Sequence, residues 1–319
     1  MKGEMIHLDD LASWLNGKAD WILYSISYEA RSPIVRRNAN QPNIRNMGFY
    51  HENHDYNNDA LTSANAEAPD AILVPLNSDA PLISLDRIRT AVGENLSMRS
   101  PLNVIVDITC FTRETLAMLI MVLHHMLPQG SKIRCVYNKA EKYADPLKDG
   151  DLHNWLSRGI VDIRSVLGYR GRVSLVAKTH LIVIPGFEAE RAQAIIEELQ
   201  PDRLTIGKPS TDESFRPEFA LLVEEIIERL KGYYPEKSIA HFTFSSRDPF
   251  RTEESLLKCL RAGENTIVAC LNTKVTMMGV ILAALSNRDI QLVYAQPAHY
   301  NLSCLSDPSE DLLVFDLPL

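Results

Sequence analysis

Two short groups of residues in this chain have the composition of an anion site, and each has a counterpart in the other half. Thr109, Thr112 and Arg113 follow the apolar run NVIVDI, and Asn272, Thr273 and Lys274 follow NTIVACL. A hydroxyl residue and then a cation at the start of a helix suit a negatively charged ligand, because unpaired backbone N–H groups and the helix dipole both favour negative charge there. The same residues have a plainer use: a Thr before a helix is an N-cap, and a first-turn Lys or Arg is solvated. A second pair of groups follows the opening apolar segment of each half. These are Ser25, Ser27, Glu29 and Arg31 in one half, and Gly186, Phe187, Glu188 and Arg191 in the other. Glu29 and Glu188 are either helix-start carboxylates or ion-pair partners of Arg31 and Arg191 that shape a pocket; a structural role is the favoured reading. Asp107, after VIV, stands where a catalytic carboxylate could, but its counterpart is Ala269. Arg247, Asp248 and Arg251 read as a loop ion-pair group.

The absences narrow the chemistry. There is no G-x-G-x-x-G dinucleotide fingerprint, no G-x-x-x-x-G-K-[ST] loop and no G-x-S-x-G elbow. The histidines show no H-x-x-x-H or H-E-x-x-H spacing, and His124 and His125 point to different sides of a helix, so neither a metal nor another cofactor is expected.

These residues must be positioned by repeated elements, because three pairs of segments match in the same order. ILYSISYEAR (Ile22 to Arg31) aligns with IVIPGFEAER (Ile182 to Arg191), NVIVDITCFTR with NTIVACLNTK, and VYNKAEKY with VYAQPAHY. The offsets are 188 − 29 = 159, 274 − 113 = 161 and 300 − 143 = 157, so the repeated unit is about half the chain. Each half alternates strands with helices, the signature of a mostly parallel sheet with helices on both faces. The expected fold is therefore α/β, with two tandem Rossmann-like domains of about five parallel strands, over residues 1–165 and 166–319. In such sheets ligands bind beyond the carboxyl ends of the strands, which is where the groups above fall. Three segments are less regular. Arg36 to Asp70, Asn-rich and containing HENHDYNND, reads as a long surface loop or lid; Asp151 to Gly159 reads as a short helix; GYRGR (Gly168 to Arg172) reads as a turn.

The bulk numbers agree. A chain of 319 residues with 45% hydrophobic and 23% charged residues is ordinary for globular domains and can hold two cores. A net charge of −8 argues against extended duplex binding. The five cysteines, odd in number and without C-x-x-C spacing, read as reduced residues of a cytoplasmic protein. The acidic start lacks a signal-peptide pattern, and no apolar run is long enough to span a membrane.

The stretch from Asn265 to Asn301 resembles the ligand-binding part of CARF domains, the Rossmann-like sensors associated with CRISPR systems. Asn272, Thr273, Lys274 and Met277 match that family's small residue, Thr, Lys and Met-rich helix after a strand. The resemblance implies binding of a nucleotide, such as a cyclic oligoadenylate, by strand-end loops, with Gly186, Phe187 and Glu188 in the other ligand loop. Thr109 to Arg113 departs from the pattern by one extra residue and by Phe111. Both halves are occupied by repeats, so an effector would be a separate protein. The expected function is a regulatory, nucleotide-sensing component of bacterial antiviral defence that holds its ligand between the repeats and could form homo-oligomers. Two alternatives stand beside it: a phosphodiesterase using Asp107 or Glu188 as base, and a non-catalytic assembly subunit.

Overall fold

A computed structural model describes residues 3–15, 17–39, 43–96, 100–142, 157–215, 217–234, 238–302 and 306–318. The chain divides into two units, Met1–Tyr143 with Leu305–Leu319, and Ala144–Cys304. The first runs β1 (Glu4–His7), α1 (Leu11–Leu15), β2 (Trp21–Ser25), α2 (Ile34–Asn38), β3 (Arg45–His51), α3 (Asn58–Glu67), β4 (Ile72–Leu76), α4 (Pro81–Asn95), β5 (Asn103–Asp107), α5 (Arg113–Met126) and β6 (Lys132–Lys142). The second runs β7 (Ser157–Arg170), β8 (Thr179–Ile184), α6 (Ala189–Leu199), β9 (Arg203–Pro209), α7 (Pro217–Tyr233), β10 (Ile239–Phe244), α8 (Pro249–Cys259), β11 (Asn265–Cys270), α9 (Lys274–Ser286) and β12 (Ile290–Tyr300). The last strand, β13 (Asp307–Leu317), returns to the first unit.

Among the described residues, the first sheet has the order β1-β13-β6-β5-β2-β3-β4 and the second β7-β12-β11-β8-β9-β10, read from the antiparallel edge. From β6 to β4, and from β12 to β10, every pairing is parallel. Each unit thus has a five-stranded core whose strand order reverses at the β2/β5 or β8/β11 pair, a Rossmann-like α/β arrangement. All of β2 is buried, as expected of a strand covered on both faces. The burial pattern from Trp21 to Asn38 repeats position by position from Leu181 to Glu198. In the second unit, α9 is apolar on every side because it is enclosed: Val275 to Ala284 are all buried.

The final strands are exchanged. After β6 the chain leaves for the second unit, where β7 pairs antiparallel with β12; after β12 it comes back, and β13 pairs antiparallel with β6. The expected boundary at 165/166 therefore falls inside β7, and residues 305–319 complete the other unit. The reason is pairing: the apolar run DLLVFDL lies against KIRCVYN of β6, with Val314 opposite Val136.

Three further expectations change. The Asn-rich segment 36–70 is not one long loop; it holds the end of α2, β3 and α3, which match β9 and α7 of the second unit. Its strand was hidden because only Met47, Gly48 and Phe49 of RNMGFYH are buried. Residues 157–159 are extended in β7 rather than helical, while 151–156 and Tyr143 lie outside the described residues. Gly168 to Arg170 continues β7, with Gly168 at a φ of 91° that only glycine takes easily, so a sequence that resembles a turn is an irregularity within a strand.

Candidate functional site

Neighbouring parallel strands place the singled-out loops side by side. In the second unit β8 and β11 are paired to their ends, Ile184 opposite Cys270. The loop after β8 carries Gly186, Phe187 and Glu188; the one after β11 carries Asn272, Thr273 and Lys274. They are locked together: Leu271 donates its N–H to Ile184 O at 2.8 Å, and Asn272 Nδ2 donates to Pro185 O at 2.8 Å. A Cβ on Gly186 would lie 2.1 Å from Leu271 O, so this close approach requires glycine. Asn272 Oδ1 accepts from Thr273 N at 2.9 Å and Thr276 Oγ1 at 3.2 Å. Thr273 is the N-cap of α9, its hydroxyl accepting from Thr276 N at 3.1 Å, and the half-buried Lys274 opens the first turn. Phe187 lies edge-on to Phe219, with ring centroids 5.6 Å apart.

The first unit repeats the plan with different chemistry. Thr112 is the N-cap of α5, accepting from Thr115 N at 3.1 Å, with Arg113 half-buried behind it. Thr109 faces inward instead. Its N–H and hydroxyl donate to Asp107 Oδ1 at 3.0 and 2.5 Å, and its Oγ1 accepts from Asn138 N at 3.0 Å. Asp107 is buried, and burial raises its carboxyl to about 6 against the opposing effect of those two hydrogen bonds and of Arg31. Phe111, the residue that departs from the second-half pattern, is buried against Phe49 at 5.7 Å.

The two glutamates belong to equivalent ion pairs. Arg31 Nη2 meets Glu29 Oε2 at 2.5 Å while its Nη1 donates to Asn138 O of β6 at 3.2 Å. Arg191 Nη1 meets Glu188 Oε2 at 2.9 Å while its Nη2 donates to Ala295 O of β12. Both arginine side chains are 5% exposed, so each guanidinium fastens the loop after the unit's first core strand to its last. Ser157 Oγ also donates to Glu188. Ser27 works locally, its Oγ accepting from Glu29 N at 3.4 Å and its N–H donating to Ser32 Oγ at 3.0 Å. Asp248 caps α8 through Phe250 N and Arg251 N, and Arg251 pairs with Glu213; no chemistry is visible there beyond holding the loop.

The structure therefore gathers the candidates into one strand-end cluster per unit, with Thr112–Arg113 and Thr273–Lys274 at the helix mouths and the Glu–Arg pairs behind them. A different group in the first unit had not been singled out. His54 Nε2 lies 3.0 Å from Ser78 Oγ, beyond the carboxyl ends of β3 and β4. The repeat offers a signal for it: Ser84 Oγ bonds both backbone groups of Asn77, as Thr252 Oγ1 bonds those of Ser245, so Ser78 is the counterpart of Ser246. Among the described residues there is no group of three His, Cys, Asp or Glu that could hold a metal, and no helix is long and apolar enough to cross a membrane.

No protein-family model matches the sequence, and no curated protein does. Among solved structures, the fold is similar to that of a type III CRISPR defence DNA nuclease activated by cyclic oligoadenylate, with a TM-score of 0.50 and 10% identity over 82% of this chain. This chain spans 63% of that one. A much looser likeness, with a TM-score of 0.25 and 7% identity over 82% of this chain and 72% of the other, is to Haemonchus contortus phosphoethanolamine N-methyltransferase 1 solved with phosphoethanolamine and S-adenosylhomocysteine. The first likeness agrees with an α/β fold of the Rossmann kind.

Proposed function

We propose that the protein is a CARF-like sensor that takes a nucleotide, with a cyclic oligoadenylate the first candidate, at the strand-end loops of its repeats and regulates a separate effector in antiviral defence. The observation that carries this reading is the recurrence at both strand-order reversals of one construction: a Thr N-cap, a cation in the first turn and a loop fastened across the strand ends. A helix mouth of this kind attracts phosphate. The reading also draws on the fold likeness to a nuclease that cyclic oligoadenylate activates.

A role in binding rather than cleavage is favoured by the state of the carboxylates at these loops. Asp107 is enclosed by Thr109, and Glu188 is shared by Arg191 and Ser157, so neither is placed to take a proton from a water near the helix mouths. Binding would bias the effector by preferring one arrangement of the protein over another.

The test is titration calorimetry with linear and cyclic oligoadenylates on the full chain and on Lys274→Ala and Arg113→Ala. Binding without turnover, weakened at least tenfold by either substitution at unchanged melting temperature, is the expected result. Unaltered affinity in both variants would remove the assignment of the helix mouths.

A further inference from the structure

The histidine-rich segment HENHDYNND takes no part in that reading. Asn53 and His54 leave the end of β3, and Ser78 and Asp79 leave the end of the adjacent β4, where Glu52 N donates to Leu76 O at 2.9 Å. The hydrogen bonds there have a definite direction. Ser78 N–H donates to Asn53 Oδ1 at 3.3 Å, which fixes the carboxamide so that Asn53 Nδ2 donates to Ser78 Oγ at 2.8 Å and to Asp79 Oδ2 at 3.0 Å. The Ser78 hydroxyl and His54 Nε2 lie 3.0 Å apart, within hydrogen-bond reach of each other, so a neutral ring with its lone pair at Nε2 takes the hydroxyl proton. Burial lowers the pKa of His54, keeping the ring neutral and so able to accept a proton, while the nearby Asp79 carboxylate favours the imidazolium that proton transfer would create. A hydroxyl nucleophile, a base within hydrogen-bond reach and a carboxylate near that base are the components of nucleophilic catalysis. Ser78 also stands between a parallel strand and the start of a helix, at the carboxyl end of the sheet where parallel α/β folds place their chemistry.

The surroundings select the substrate. Leu82 and Ile83, in the first turn of α4, are 69% and 48% exposed. On the other side His54 stacks on Tyr56 at 4.9 Å, and Tyr56 meets Tyr28 edge-on at 5.0 Å. Asp79 supplies negative charge beside the pair. The Tyr56 ring on His54 and the Asp79 carboxylate suit an uncharged, apolar ester and disfavour a phosphate.

We infer that Ser78 and His54 form a nucleophile–base pair that hydrolyses an uncharged carboxylic ester with an apolar acyl group, a site at the ends of β3 and β4 and not at the helix mouths of α5 and α9. Ser78 Oγ attacks the carbonyl carbon as its proton passes to His54 Nε2. The new C–Oγ bond forms, the C–O bond to the alcohol breaks, and His54 delivers the proton to the departing oxygen. Water then attacks the acyl group, giving a proton to His54 that returns to Ser78 Oγ as the carboxylic acid leaves. The second unit has no such pair: Ser246, the counterpart of Ser78, donates to Asn272 Oδ1 at 3.4 Å instead.

The test is reaction of the full chain with an alkyl fluorophosphonate, read by intact mass and peptide mapping without any nucleotide. The hydroxyl forms an O–P bond, the P–F bond breaks, and the base takes the proton as fluoride leaves. One adduct on Ser78 is expected in the wild-type chain and in Ser246→Ala, and none in Ser78→Ala. Labelling of His54→Gln should be slower by about 100-fold or more. The wild-type rate should rise with pH through one ionisation below about 6.5, the ordinary histidine value. p-Nitrophenyl butyrate should be hydrolysed by the wild type and not by Ser78→Ala. An unlabelled Ser78, a rate unchanged in His54→Gln, a flat pH profile, or turnover of bis(p-nitrophenyl) phosphate in preference to the ester would each overturn the inference. A failure here would leave the nucleotide titrations untouched, since they test Arg113 and Lys274 at the helix mouths.

Discussion

The two units share one topology and use different means at the same places. In the second, a glycine at position 186 lets two loops press backbone to backbone, and Asn272 ties them. In the first, a buried acid, Asp107, organises Thr109 and through it Asn138, with Phe111 filling the space beside Phe49. What both retain is the Glu–Arg pair and the Thr cap. A duplicated domain therefore keeps the contacts that fix its loops and diverges in the groups that could meet a ligand. Where the first unit has the buried acid Asp107, the second has Ala269.

The sharpest way to break this comparison is to remove the shared arginines. Arg31→Met and Arg191→Met should each cost about 3–5 kcal/mol in urea unfolding, because each strands a partly buried glutamate and a strand carbonyl. A loss in one unit only would show that the pairs are not equivalent.

Next in size is a pH effect from two groups of the first unit. Asp107 is raised from 3.8 to about 6, so the fold holds its proton more tightly than the unfolded chain, and its contribution to stability falls as pH rises from about 4 to 6. His51 is lowered from 6.5 to about 4 by burial, so its contribution rises with pH over about 4 to 6.5. The two oppose each other in one window. Asp107→Asn should expose a stability that climbs with pH, and His51→Gln one that declines, each by about 2–3 kcal/mol at most. Identical pH profiles for wild type and both variants would sink the assignment.

The smallest effect sharpens the comparison. Thr112→Ala and Thr273→Ala should each cost about 1 kcal/mol, and by nearly equal amounts, since both hydroxyls cap through the N–H three residues on. A markedly larger loss at Thr273 would reveal a further role, consistent with its hydroxyl also donating to Ser246 O at 3.3 Å.

Much of this architecture could be read from the chain because buried central strands are written as uninterrupted apolar runs. VIV before Asp107, LIVI before Pro185 and IVAC before Leu271 admit few other readings. β3 escaped because its buried part is short and flanked by the polar residues Arg45, Asn46 and His51, which break up the apolar run. β13 is plainly apolar, yet its partner β6 lies far back in the sequence, and periodicity says nothing about which edge a strand joins. The candidate loops were legible from the repeat, but the roles of their members were not. Whether Glu188 meets a ligand or Arg191 depends on side-chain direction, which spacing does not encode. The pairing of His54 with Ser78 was hidden for the same reason as β3: it depends on two strands lying side by side.

The exchanged strands set the order in which the protein can be built on the ribosome. The outer edge of β6 has no neighbour until Asp307 to Leu317 emerge, so the first sheet waits for that distant segment to be synthesised. At about 5–20 residues per second the wait is roughly ten to thirty seconds. During that interval an apolar strand edge is open to mispairing, and a nascent chain that stalls before Asp307 leaves the earlier-made unit unfinished.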